Sequence, residues 1–93
     1  MSLLRYNAKR DRNELEIIAA LEKLGVWVMP ISAAGLPDLL CAWKGRLTWI
    51  EVKSKTGRLT KGQRQFADQC LKKNVPYYLV SELEELEWLR WLL

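Results

Sequence analysis

Asp38-Leu39-Leu40-Cys41-Ala42-Trp43-Lys44-Gly45-Arg46-Leu47-Thr48-Trp49-Ile50-Glu51-Val52-Lys53 is the stretch from which the rest of the chain can be placed. Two strand-like runs, Asp38 to Trp43 and Arg46 to Lys53, flank Lys44-Gly45, a pair suited to a tight hairpin. If that pair is a two-residue loop, Trp43 faces Arg46, Leu40 faces Trp49 and Asp38 faces Glu51. Alternation along the strand then turns Glu51 and Lys53 to one face of the sheet, and Ile50 and Val52 to the other. Two carboxylates and an ammonium converge on one face. A loop shifted by two residues keeps this parity, whereas an odd loop or a bulge breaks it.

Working outward, Leu15, Ile17, Ile18, Leu21 and Leu24 recur at helical spacing over Asp11 to Leu24, and Gly25 follows as a C-cap. Val26 to Ile31 is short and apolar and reads as a strand, with Pro30 placing it at a sheet edge or ending it. With the hairpin it makes a meander. Gly57 and its basic neighbours form a loop, and Thr60 opens a helix through about Lys73 with Phe66, Ala67 and Cys70 inward. Val75 to Val80 is a further strand. Ser81-x-x-Glu84 has the form of a capping box, and Leu83, Leu86, Leu89 and Leu93 share one face of a final helix. The expected order is α-β-β-β-α-β-α, an α/β domain over residues 1–93 with no internal repeat or linker.

Ninety-three residues, 49% of them hydrophobic, suffice for one core and not for two. Histidine is absent, which excludes catalytic triads, imidazole bases and most zinc folds. Cys41 and Cys70 lie far apart with no C-x-x-C spacing, which fits a reducing, intracellular setting. No apolar run approaches the ~20 residues of a membrane-spanning helix and the N-terminus is charged, so a cytoplasmic protein is expected. The net charge of +4 is unevenly spread: Lys44 to Lys73 holds nine Lys/Arg against two acids, Glu51 and Asp68. The middle third is thus a candidate surface for a polyanion, although a basic run is also a common solvated face.

Like charges directly opposed on paired strands repel, so something positive should stand between Asp38 and Glu51. Two readings are open: Lys53 as a structural ion pair, or a hard divalent cation held by two carboxylates, a backbone oxygen and waters. Glu14 lies three, four and seven residues before Ile17, Ile18 and Leu21, in line with the buried stripe of the first helix. An acid there needs a partner, unless Asp11-x-x-Glu14 only closes the first turn.

Gly35-x-Pro37-Asp38, then Glu51-x-Lys53 thirteen residues after Asp38, with Glu14 before and Leu59-Thr60-x-x-Gln63 behind, resembles the PD-(D/E)XK nucleases. Within that superfamily it most resembles the VRR-NUC domains, in their compact stand-alone form found in phages and bacteria. The resemblance runs from Glu14 to about Val80. It implies a restriction-endonuclease-like core with a mixed four-stranded sheet flanked by helices. It implies Asp38 and Glu51 as metal-binding acids for Mg²⁺ or Mn²⁺, with the Val52 carbonyl as a further ligand. Glu14 matches the first-helix acid that binds metal directly or through water, and Lys53 matches the catalytic lysine. Gln63 matches a glutamine that orients Lys53 or a phosphate, but Thr60-x-x-Gln63 is also a capping box.

Lys55, Arg58, Lys61 and Arg64 lie beside this expected site, where phosphate contacts give salt-sensitive, sequence-independent binding. Gly35 and Gly57 let loops approach a substrate backbone or simply serve turn geometry. Trp88-Leu89-Arg90-Trp91-Leu92-Leu93 is apolar nearly all round, and self-association is its expected outlet, with packing over the sheet as the alternative. The expectation is a homodimeric, bacterial or phage-encoded endonuclease for branched DNA, above all four-way junctions, with no small-molecule cofactor. A nuclease for flaps or nicked duplex and a non-catalytic dimeric nucleic-acid-binding module are the rivals.

Overall fold

The computed structural model describes residues 12–54 and 56–82. The expected final helix, the apolar segment Trp88 to Leu93, Asp11 and Lys55 lie outside the described residues. The elements run α1 (Arg12–Lys23), β1 (Trp27–Pro30), β2 (Leu39–Trp43), β3 (Arg46–Val52), α2 (Lys61–Lys73) and β4 (Tyr77–Val80). The chain is thus α/β with a mixed four-stranded sheet, matching a restriction-endonuclease-like core.

The hairpin sets the frame. Lys44 and Gly45 take φ of 49° and 78°, the left-handed pair that a two-residue turn needs to match the twist of its strands. The Lys44 ammonium lies 4.4 Å from the centre of the Trp43 ring, a cation–π contact at the same turn. β2 and β3 pair antiparallel with Trp43 opposite Arg46, Leu40 opposite Trp49 and Leu39 opposite Ile50, the expected register. β1 adds antiparallel to the free side of β2, and β4 pairs parallel with β3, giving the order β1-β2-β3-β4. β1 is therefore an edge strand, and Pro30, which has no N–H to give, is its last residue.

One face of the sheet carries the apolar core. Val28, Leu39, Cys41, Ile50 and Val80 meet Ile17 and Leu21 of α1, with Val26 closing the end. Both α1 and α2 end in a left-handed residue whose neighbours recapture the free carbonyls. At Gly25 (φ 89°), Val26 N–H donates to Leu21 O and Gly25 N–H to Glu22 O; at Asn74 (φ 58°), Val75 N–H donates to Cys70 O and Asn74 N–H to Leu71 O. Leu15 departs from expectation and is 54% exposed. It sits about 120° round the helix from the line through Glu14, Ile17 and Leu21, too far to reach the sheet. No helix among the described residues is long and apolar enough to cross a membrane.

α2 covers the other face. Trp49 and Phe66 meet edge to face at 5.1 Å and 81°, a pairing worth ~0.5–1.5 kcal/mol beyond its buried area. Cys70 is buried on the same helix, and Phe66 and Ala67 are half-buried, as their spacing predicts.

Candidate metal centre

Alternation on β3 places Thr48, Ile50 and Val52 toward α1, and Trp49 and Glu51 toward α2. Asp38 is the residue before β2, one step past the last pair of the ladder. Its carbonyl accepts from Ile31 N–H at 2.7 Å, which closes the loop 32–37, and its carboxylate Oδ2 accepts from Val52 N–H at 2.9 Å. The side chain of Asp38 thus reaches across to the end of β3, beside Glu51, and one of its oxygens is fixed by the backbone. Pro37, fully buried just before it, and Gly35 at φ 81° shape this loop. The loop rests on the start of α2: a Cβ on Gly62 would come within 3.4 Å of the Gly35 Cα.

Glu51 is the unusual residue. It is 1% exposed, and neither of its carboxylate oxygens has a hydrogen-bond partner among the described residues. An ionised carboxylate in such a place is costly. Burial accordingly pushes the Glu51 carboxyl up to about 9. The Asp38 carboxyl, beside it though short of full hydrogen-bond geometry, adds to this by favouring a shared proton and by its like charge. Glu14 adds a smaller push, and the Lys53 ammonium pulls the other way. All four expected charged groups therefore feel one another at Glu51.

Glu14 is buried in the first turn of α1. The neighbouring Asn13 donates to Ser81 O at 2.9 Å, just past β4, so this end of α1 is tied to the end of the sheet where β3 and β4 finish. No three His, Cys, Asp or Glu side chains among the described residues come together as ready metal ligands. The pair Asp38 and Glu51, with Glu14 at longer range, is the acidic set the fold assembles. Two acids suit a hard cation that takes its remaining ligands from backbone carbonyls and water, and the unsatisfied Glu51 oxygens are the donors such an ion needs. The residues fit Mg²⁺ or Mn²⁺.

Lys53 follows β3 directly, and its N–H donates to Val80 O at 3.0 Å, extending the parallel pairing one residue. Gly57 packs beside it: a Cβ there would stand 3.0 Å from Ser54 Oγ and 3.5 Å from Lys53 Cδ, so Gly57 leaves room for the lysine stem. Gln63 makes both halves of a capping box, its N–H donating to Thr60 Oγ1 at 3.2 Å and its Oε1 accepting from Thr60 N–H at 2.9 Å. With the carbonyl so engaged in the cap, the amide NH₂ is the end of the side chain that keeps donors to give. Arg58, Lys61 and Arg64 are exposed, Arg58 before α2 and the other two in its first turns.

Burial also raises the thiol of Cys41 to about 12 and that of Cys70 in the same direction, so both stay protonated as small apolar fillers. Tyr77 was not singled out by the sequence. Its hydroxyl is buried without a hydrogen-bond partner among the described residues and is pushed up to about 12, by burial first and then by Glu51, Cys70 and Asp38. Only the parallel register, Tyr77 beside Trp49 and Leu79 beside Glu51, brings it to the face of the carboxylates. No short-range pattern signals that pairing.

The family model for the VRR-NUC domain matches residues 10–81. A solved structure titled "VRR_NUC domain" superposes with a TM-score of 0.74 at 23% identity, covering 84% of this chain and 89% of that one, which supports the fold. No curated protein matches the chain. The matched stretch contains every element from α1 to β4, and the chain belongs to the VRR-NUC family of nuclease domains.

Proposed function

We propose that the chain is a divalent-metal-dependent endonuclease that hydrolyses phosphodiester bonds in structured DNA, four-way junctions above all. The observation that carries this reading is Glu51, a fully buried acid with two unsatisfied oxygens set beside Asp38. A binding module has no use for that costly pair, whereas a metal-dependent hydrolase does. Asp38, Glu51 and the Val52 carbonyl are the proposed ligands, with Glu14 binding directly or through water. When bound, Mg²⁺ or Mn²⁺ would supply positive charge against the crowded phosphate and lower the pKa of an attacking water.

The chain's own groups do the rest. Glu51 gives up the proton that burial holds on it when it takes up this role, so metal uptake is proton-linked. Asp38 is held in place by Val52 N–H. Lys53, which can only donate, orients the water or meets negative charge growing on the phosphate, without competing for the metal. The Gln63 amide donates to a phosphate oxygen while its carbonyl stays in the cap. Arg58, Lys61 and Arg64, with Lys55, hold the backbone of the substrate without reading sequence, which leaves shape as the basis of selection. Gly35 belongs to the loop that lets that backbone come close.

A two-fold dimer would present two such centres to the paired strands of a junction. The apolar sequence at Trp88 to Leu93 favours it, as do Trp27 (66% exposed) and Leu47 (59% exposed), which flank Ala42 in one cross-strand row.

The test is cleavage of junction, flap, nicked duplex, duplex and single-stranded DNA with Mn²⁺ or with chelator, alongside sizing of the protein. Metal-dependent cutting of junctions by a dimer is expected. Asp38→Asn and Lys53→Ala should each lose cleavage by ~100-fold or more while keeping the fold and DNA affinity. Binding of every DNA with no metal-dependent cutting would favour the binding module instead. An active Lys53→Ala protein would remove the lysine from its assigned role.

A further inference from the structure

We infer that Tyr77 is a positioning residue for the metal centre, its hydroxyl donating a hydrogen bond to the Glu51 carboxylate. This inference rests on the reading of Asp38 and Glu51 as metal ligands.

Among the described residues, three buried side-chain oxygens lack a hydrogen-bond partner: both carboxylate oxygens of Glu51 and the hydroxyl of Tyr77. They belong to one face of the sheet. The β3–β4 register sets Tyr77 beside Trp49 and Leu79 beside Glu51, so alternation turns Trp49, Glu51 and Tyr77 the same way, under α2. Buried polar groups are nearly always paired, and three orphans on one face call for a common explanation.

The donor and acceptor counts supply it. A phenol has one proton to give, whereas a protonated Glu51 also has one to give and an ionised one has none and accepts about four. As a ligand, Glu51 would have lone pairs beyond those a cation takes, and ligating carboxylates are generally held by a second hydrogen bond. Tyr77 holds such a donor, which has no partner among the described residues. In the β3–β4 register Glu51 is the diagonal neighbour of Tyr77, two residues along β3 from its partner Trp49, a separation a long aromatic side chain can span.

The experiment is calorimetric titration of Mn²⁺ alone into the full chain, for wild type, Tyr77→Phe and Asp38→Asn, with thermal unfolding of each in chelator. Tyr77→Phe should bind Mn²⁺ about tenfold more weakly, with an unfolding temperature in chelator equal to or above wild type. Asp38→Asn should lose uptake. If Asp38→Asn loses uptake but Tyr77→Phe binds like wild type, the role of Tyr77 is overturned and the metal centre stands. If all three bind alike, the metal centre itself is overturned, and this inference with it. If Tyr77→Phe loses affinity only together with a marked fall in its unfolding temperature in chelator, the hydroxyl serves the fold and the positioning role is overturned.

Discussion

Ile50 and Glu51 are neighbours on one strand, 0% and 1% exposed, and their burial has opposite consequences. Ile50 points toward α1 into the apolar cluster of Ile17, Leu21, Leu39 and Val80, where burial is favourable. Glu51 points toward α2 with Asp38 beside it and, among the described residues, no donor for either oxygen. The α1 face holds the sheet together; the α2 face gives up stability to keep one acid, Glu51, buried beside Asp38. A central strand does both because its side chains alternate, and because β2 and β4 flank it on either side.

Changing the α1 face should cost the fold and spare the chemistry of whatever remains folded. Ile50→Ala removes a fully buried side chain and should lower stability by about 3 kcal/mol, measured by urea unfolding, with metal affinity per folded molecule unchanged. A small loss, or a specific loss of metal binding, would blur the division between the faces.

The converse change is Glu51→Gln, which should make the metal-free protein more stable while abolishing metal uptake. The sign follows from the pKa. Glu51 rises from 4.5 to about 9 on folding, so between those values the unfolded chain releases a proton that the folded one keeps. Stability contributed by this group is therefore fully present below pH 4.5 and declines as pH rises toward 9. Unfolding in chelator at pH 5 and pH 8 should show that decline in wild type and lose it in Glu51→Gln. At pH 8 the variant should unfold several degrees higher, since ~1 kcal/mol moves a domain of this size by ~4–8 °C. A Glu51→Gln protein less stable than wild type at pH 8 would mean that the carboxylate is satisfied after all.

The smallest effect sharpens the boundary of the site. Arg58→Ala, Lys61→Ala and Arg64→Ala should each weaken DNA binding uniformly across sequences and lower the slope of log K against log salt by about 1. Metal affinity should not move. A residue whose loss leaves the slope unchanged does not touch phosphate.

Much of this was legible before any coordinates. Lys44-Gly45 specifies a two-residue turn by local conformation alone, and that turn dictates the register that faces Leu40 with Trp49 and ends at Leu39 and Ile50, one step short of Asp38 and Glu51. Glu14 was legible from its spacing to Ile17 and Leu21, and Thr60-x-x-Gln63 proved to be the capping box its pattern allowed. Leu15 was misread because a periodic list of apolar residues does not say how wide a stripe the sheet covers.

What the chain determined by itself is therefore whatever is settled within a turn or two of backbone: caps, hairpin, parity, and the side of the sheet on which each charge falls. What only the tertiary structure decided is how deeply those charges lie and what else shares their face. The parallel pairing of β4 with β3 joins residues more than twenty apart in sequence, with α2 between them, and it brings Tyr77 to Glu51. Desolvation depends on every element packed around a group, so the shift of Glu51 to about 9 is a property of the assembled sheet and helices, not of any motif.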